Sequence, residues 1–198
     1  MLHALLGLMI FNIDFFFLRI YRDSATVGYY AAAYALVSFF LNVGNSYSLG
    51  LLPVIARAGG DPDRQRHLYH GALVQVFAGA LPIAVGGILV ADGLIAAAFG
   101  GEYLPSVLPL QILCWTIPGS LFRSVAQSVL VAEERQHQLL SSAVWAVACN
   151  LALNVALIPT WGMVGAAIAS LAAASLRLGL LLRFVQIGGL PLPSLGRF

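Results

Sequence analysis

The stretch from Ser141 to Arg177, SSAVWAVACNLALNVALIPTWGMVGAAIASLAAASLR, carries two apolar runs joined by Pro159-Thr160-Trp161-Gly162. Each run is about 20 residues long, enough at about 1.5 Å per residue to cross a hydrocarbon core of roughly 30 Å. Pro159 is expected to end the first helix, and Trp161 to sit at headgroup level. Gly162, Ala166, Ser170 and Ala174 recur at four-residue spacing, as do Gly165, Ala169 and Ala173. Such stripes let membrane helices approach backbone to backbone. The stretch reads as a transmembrane hairpin.

The rest of the chain agrees. Of its 198 residues 60% are hydrophobic and 9% charged, with a mean hydropathy of +0.90. A soluble domain carries about 25% charged residues, so the solvent here is mostly lipid. A net charge of +2, from ten Arg and eight acids without any Lys, is too small for a nucleic-acid partner. Arg without Lys, alongside abundant Ala and Gly, suggests a GC-rich bacterial genome. Cys114 and Cys149 lie inside apolar runs and read as buried thiols, with neither a disulfide nor metal-ligand spacing. The N-terminus lacks the basic region and cleavage site of a signal peptide and reads as a first span.

Six spans follow in order, forming a single membrane domain over residues 1–198. Span one covers about Leu2 to Ile20, and span two about Ser24 to Val54. The polar segment from Arg57 to His67 reads as an aqueous loop. Span three runs from about Gly71 to Val90 with Pro82 inside it. Ala91 to Leu104 suggests a short interfacial helix broken at Gly100-Gly101. Span four runs from about Ser106 to Ala132, interrupted by Pro109 and Pro118, and ends at the polar turn Glu133–His137. Spans five and six are the hairpin. The fold class is an all-α integral membrane bundle of about six helices. Six Arg on one side against Arg19 and Arg22 on the other place both termini in the cytoplasm.

Several motifs carry a family resemblance: Asp14-Phe-Phe-Phe-Leu-Arg, Ser24-Ala-Thr-Val-Gly-Tyr-Tyr-Ala-Ala-Ala, Leu51-Leu-Pro53 and Gly101-Glu-Tyr-Leu-Pro-Ser. The segment from Asn150 through Pro159-Thr-Trp-Gly-Met-Val-Gly to Ser170 completes the set. In order and spacing they resemble the C-terminal half of the polysaccharide-transporter (oligosaccharide flippase) family, within the multidrug/oligosaccharidyl-lipid/polysaccharide exporter superfamily. That resemblance implies one lobe of a two-lobe exporter in a bacterial inner membrane. The second six-span lobe would come from upstream in the same chain or from another copy. The implied substrate is a lipid-linked oligosaccharide, moved by alternating access, with membrane lipids as surroundings.

Ionisable groups inside a membrane are costly unless paired or hydrated, so each is a functional candidate. Asp14 in span one is either a counter-ion to an arginine or a coupling site for H⁺ or Na⁺. Arg123 in span four and Arg177, one turn beyond the Gly165-Ala169-Ala173 stripe, suit bidentate binding of a pyrophosphate-linked head. The alternative is that they snorkel or pair. Gln127 lies one turn from Arg123. Asn150 and Asn154 share one face of span five, for interhelical hydrogen bonds or for lining a cavity. No catalytic triad, phosphate loop or histidine metal set is legible, so no enzyme activity and no cofactor beyond a coupling ion is expected. A multidrug or small-cation antiporter lobe and a non-transporting membrane scaffold are the competing functions.

Overall fold

The structure, a computed structural model, describes residues 13–57 and 62–187. Most of the expected first span therefore lies outside the described residues. Its remainder forms α1, residues 13–21, and α2 follows over Ser24–Arg57. Pro62–Leu89 is α3 and Ala91–Phe99 is α4; a 3₁₀ turn over Gly101–Ser106 leads into α5, Val107–Cys114. Thr116–Ala132 is α6 and Gln136–Ile187 is α7. Helices are what an apolar run must form in lipid, because each segment then satisfies its own backbone groups.

α7 is two helices meeting at Gly162, whose φ of 57° and ψ of −130° suit a residue without a side chain. The turn thus falls at Gly162, the last residue of the expected junction, and the first helix is not ended by Pro159. Pro159 stays inside the last turn of the first arm, where the missing N–H costs one hydrogen bond and the helix runs on through Trp161. The second arm folds back so closely that a β-carbon on Gly165 would lie 2.6 Å from the Leu157 carbonyl oxygen. The small-residue stripes are the packed faces: Ala166, Ala169 and Ala173 are fully buried.

α2 packs along α6 by the same device. Its buried residues Tyr30, Ala33, Val37, Leu41, Gly44 and Ser48 recur every three or four positions and form one stripe. A β-carbon on Gly44 would come within 3.0 Å of Ser124 Oγ. Ser128 Oγ lies 3.0 Å from the Ser48 carbonyl oxygen and 2.9 Å from the Ser48 hydroxyl, so the seam is stitched by side-chain hydroxyls. Large apolar side chains face outward instead, Leu49, Phe39, Trp145 and Trp161 among them. That arrangement fits a lipid solvent.

Proline positions explain the broken fourth span. Pro109 and Pro118 are each the third residue of their helices, α5 and α6. There the missing N–H would have had no intrahelical partner. Between them the backbone tightens at Trp115, which donates to the Ile112 carbonyl at 3.2 Å, while Thr116 Oγ1 donates to the Leu113 carbonyl at 2.6 Å. The break after α4 sits at Gly100, φ 92°, as the glycine pair suggests.

The expected aqueous loop is shorter than the polar stretch. α3 begins at Pro62, with Asp63 in its first turn, so residues 62–67 are helical. Proline at the first helical position and an acid in the first turn are start signals. Polarity there marks the edge of the apolar medium and not the end of the helix; the apolar part of α3 begins at Arg66.

Four helices among the described residues are long and apolar enough to cross a membrane: Ser24–Arg57, Arg66–Leu89, Gly101–Ala132 and Gln136–Gln186. The last doubles back at Gly162. Gly165→Ala is expected to destabilise the chain by about 1–3 kcal/mol, because the added methyl meets backbone. Gly179→Ala, with open space around it, is expected to be neutral or slightly stabilising. Thermal unfolding in detergent checks the contrast, and equal melting of the two variants would contradict the close approach.

Candidate functional site

Asp14 is the second described residue of α1 and is fully buried. Tyr30 of α2 donates its hydroxyl to Asp14 Oδ2 at 2.8 Å, and Ser170 of the second α7 arm donates to the same oxygen. Asn150 and Asn154 of the first arm donate their Nδ2 groups to Oδ1 at 3.1 and 2.5 Å. Four neutral donors from α2 and the two α7 arms therefore converge on one carboxylate, close to its full capacity as an acceptor.

The local sequence explains how these donors meet. Asn150 and Asn154 are one turn apart, so both amides project from one face, and Asn154 also donates to Asn150 Oδ1 at 3.1 Å. Ser170 belongs to the small-residue stripe, which brings its arm near enough for a short side chain to reach. Phe15 lies edge-on to Tyr30 and Tyr34, with ring centroids at 5.3 and 5.8 Å, and covers the cluster with apolar surface. Asn154 Oδ1 is buried without a hydrogen-bond partner among the described residues.

This arrangement corrects one alternative. Asp14 makes no ion pair among the described residues, so it is not a counter-ion to Arg123 or Arg177 in this conformation. Burial is tolerated because hydrogen bonds take the place of the lost water. Asn150 and Asn154 make hydrogen bonds between helices, to Asp14 of α1. Both are fully buried.

The arginines form a second, separate grouping. Arg177 is 6% exposed, and its Nε has no partner among the described residues. Arg123 on α6 is half-buried and reaches Gln127 Oε1 at 3.4 Å, a weak contact. The helices that carry the two arginines, α6 and α7, pack against each other. Ser120, Ser124 and Ser128 turn from that face toward α2, so the polar side of α6 divides into a packing stripe and an Arg123–Gln127 stripe. A cleft of about 210 Å³ lined by Tyr47, His67 and Gln75 among others lies between α2 and α3 and contains none of these residues.

Two contacts have no signature in the sequence. Arg22 donates from Nη2 to the carbonyls of Ile158, Pro159 and Thr160 at 3.4, 2.9 and 3.3 Å. Arg135 donates to Glu133 at 3.0 Å and to the Phe184 carbonyl at 2.9 Å, tying the α6–α7 turn to the far end of α7. An arginine at a helix end signals topology equally well, so neither sequence position announces a carbonyl cap. Asp23 beside Arg22 caps α2, and the hydrogen bonds from Thr26 hold its carboxyl below the usual carboxylate range. Among the described residues no group of three or more His, Cys, Asp or Glu is placed to hold a metal ion.

The cluster sets an order of stabilities. Tyr30→Phe removes one donor and is expected to cost about 1 kcal/mol. Asp14→Leu leaves four buried donors without an acceptor, each worth about 1–3 kcal/mol, so its loss is expected to be several-fold larger. Chemical or thermal unfolding in detergent checks the order; an Asp14→Leu variant as stable as Tyr30→Phe would contradict it.

Comparison with known proteins places this architecture. Among solved structures the chain is similar to the crystal structure of a MATE point mutant, with a TM-score of 0.84 and 14% identity. It is also similar to an outward-facing multidrug resistance MATE family transporter of the MOP superfamily, at 0.81 and 15%. A third is a MOP superfamily transporter from Pyrococcus furiosus, titled for the reverse polarity of its binding pocket, at 0.73 and 17%. Each match covers 94% of this chain, and the chain spans 43%, 43% and 42% of their respective lengths. At these identities the likeness is one of fold. No curated protein matches the chain. The family described as polysaccharide biosynthesis protein matches residues 1–108, more than half of the 198. This agrees with the resemblance carried by the motifs from Asp14 onward, and the chain belongs to that polysaccharide biosynthesis protein family.

Proposed function

We propose that this chain is one lobe of an exporter that carries a lipid-linked oligosaccharide across a bacterial inner membrane by alternating access. The family's role in polysaccharide biosynthesis and the fold shared with transporters support that reading. The observation that carries it is Arg177, a residue 6% exposed whose Nε has no hydrogen-bond partner among the described residues, on a helix that packs against the one bearing Arg123. Arginines within a membrane bundle are costly, and a diphosphate linkage would supply acceptors to both through bidentate contacts. The head group would meet Arg123 and Arg177, with Gln127 completing the polar stripe. A second six-span lobe, from the same polypeptide or another copy, would supply the facing wall, and both termini would lie in the cytoplasm.

Asp14 is the coupling group in this reading. A buried carboxylate beside Asn154 Oδ1, which has no hydrogen-bond partner among the described residues, offers two oxygen types to a proton or Na⁺. The chain's own part is to bind and reorient, with no bond made or broken in the substrate. The second reading, a multidrug or small-cation antiporter lobe, is favoured by that same carboxylate and by the multidrug neighbour. The arginine pair weighs against it, since it would repel a cationic drug.

Reconstitution of the complete two-lobe protein with a lipid-linked oligosaccharide tests the proposal. Arg177→Ala and Arg123→Ala are each expected to lower flipping by about tenfold or more while inserting normally, since a hydrogen bond to a charged group is worth about 1.5–3 kcal/mol. Lysine at either position is expected to recover only part, because an ammonium lacks the planar fork. Flipping at the wild-type rate by a normally inserted Arg177→Ala, or export of organic cations in place of the lipid, would contradict the reading.

A further inference from the structure

Three chain segments reach one end of the bundle after the same number of residues. Arg22, just past the end of α1, lies eight positions beyond Asp14; Asn154 lies eight before Gly162, and Ser170 eight after it. At about 1.5 Å per residue all three measure roughly 12 Å between the Asp14 cluster and the hairpin tip. At that tip the Arg22 guanidinium donates to three successive carbonyls just before the turn, those of Ile158, Pro159 and Thr160. It lies directly over Gly162, where a β-carbon would stand 3.3 Å from Arg22 Nε.

We propose that Arg22 is a positioning residue for the Asp14 cluster: by strapping α1 to the α7 tip it sets the register in which Asn154 and Ser170 meet the carboxylate. The strap is made of strong parts. The carbonyls at a helix C-terminus lack intrahelical donors, and a cation there also complements the helix dipole. Asn154 and Ser170 sit on opposite arms of one hairpin, so a shift at the Gly162 turn displaces one relative to the other. Asp14 and Arg22 are eight positions apart, so the cluster and the strap fix the described part of α1 against the hairpin at two heights. All three contacts are made by the one nitrogen Nη2, which shares its two hydrogens among them; a lysine keeps the charge but is an atom shorter, and a β-carbon at position 162 would crowd Arg22 Nε. The inference rests on Asp14 being the coupling site.

The test measures cation response, which a purely structural cap would leave alone. The chain in its full-length context is placed in nanodiscs, and amide exchange over residues 148–156 and 167–173 is followed against NaCl (choline chloride as control) and, separately, against pH. Wild type is expected to gain protection with one of these cations, and Asp14→Asn to lose the response. Arg22→Ala is expected to need about tenfold more cation for the same protection, the equivalent of one charge-assisted hydrogen bond, with Arg22→Lys intermediate. Should Arg22→Ala fail to fold, Arg22→Gln keeps an N–H donor without the charge and is expected to fall between Ala and Lys. An Arg22 variant that is folded and responds at the wild-type concentration overturns the inference while leaving Asp14 as the coupling site. Wild type without any response to Na⁺ or pH overturns the coupling reading itself, and this inference with it.

Discussion

A carboxylate buried inside a membrane bundle has to be answered by the protein, because no water is there to answer it. Asp14 is answered by Tyr30, Asn150, Asn154 and Ser170. These come from α2 and from both arms of α7, so the helices cannot choose their positions independently. Gly165 permits the arms to close to backbone contact, Gly162 permits the reversal, and Arg22 ties the reversal to α1. Each is a condition for the four donors to arrive at one place. The α2–α6 seam, with Gly44 against Ser124 and Ser48 against Ser128, then holds α2 at the depth that keeps Tyr30 on the carboxylate.

Charge is divided between two sites of opposite character. The acidic site is closed and supplied with neutral donors. The basic grouping, Arg123 with Arg177, leaves Arg177 Nε without a hydrogen-bond partner among the described residues. α7 carries part of both: Ser170 and Arg177 lie two turns apart on its second arm, on one continuous stripe of small and buried residues. A change at the acidic site that moves this arm would carry Arg177 with it.

Much of the fold is written locally and so is legible in the sequence. Apolar run lengths give the helices, the Gly100-Gly101 pair gives the break after α4, and Pro109 and Pro118 give the division of the fourth span. The hairpin turn is less legible: proline is the stronger helix breaker in water and points to Pro159, whereas Gly162 has the conformation the reversal needs. Residues 62–67 read as loop because they are charged, yet charge there marks only the end of the apolar medium. At the site, Asp14, Asn150 and Asn154 stand out as costly polar groups within spans, and the shared face of the two asparagines follows from their spacing. Their meeting with Asp14 is not legible, since it joins residues more than a hundred positions apart. An arginine partner for Asp14 is the natural alternative from sequence, and the neutral donors replace it. Arg22 leaves no signal, because its acceptors are backbone carbonyls.

The whole arrangement depends on Asp14 and the hairpin amides being one interacting unit. A double-mutant cycle on unfolding free energy between Asp14→Asn and Asn154→Leu measures that directly. Groups in one hydrogen-bonded network couple by about 0.5–3 kcal/mol, whereas independent sites add to within about 0.5 kcal/mol. A coupling of about 1 kcal/mol or more is the result expected from Asn154 donating to Asp14. Strict additivity of the two substitutions would mean that the carboxylate and the hairpin do not meet, and would contradict the structure's organising contact.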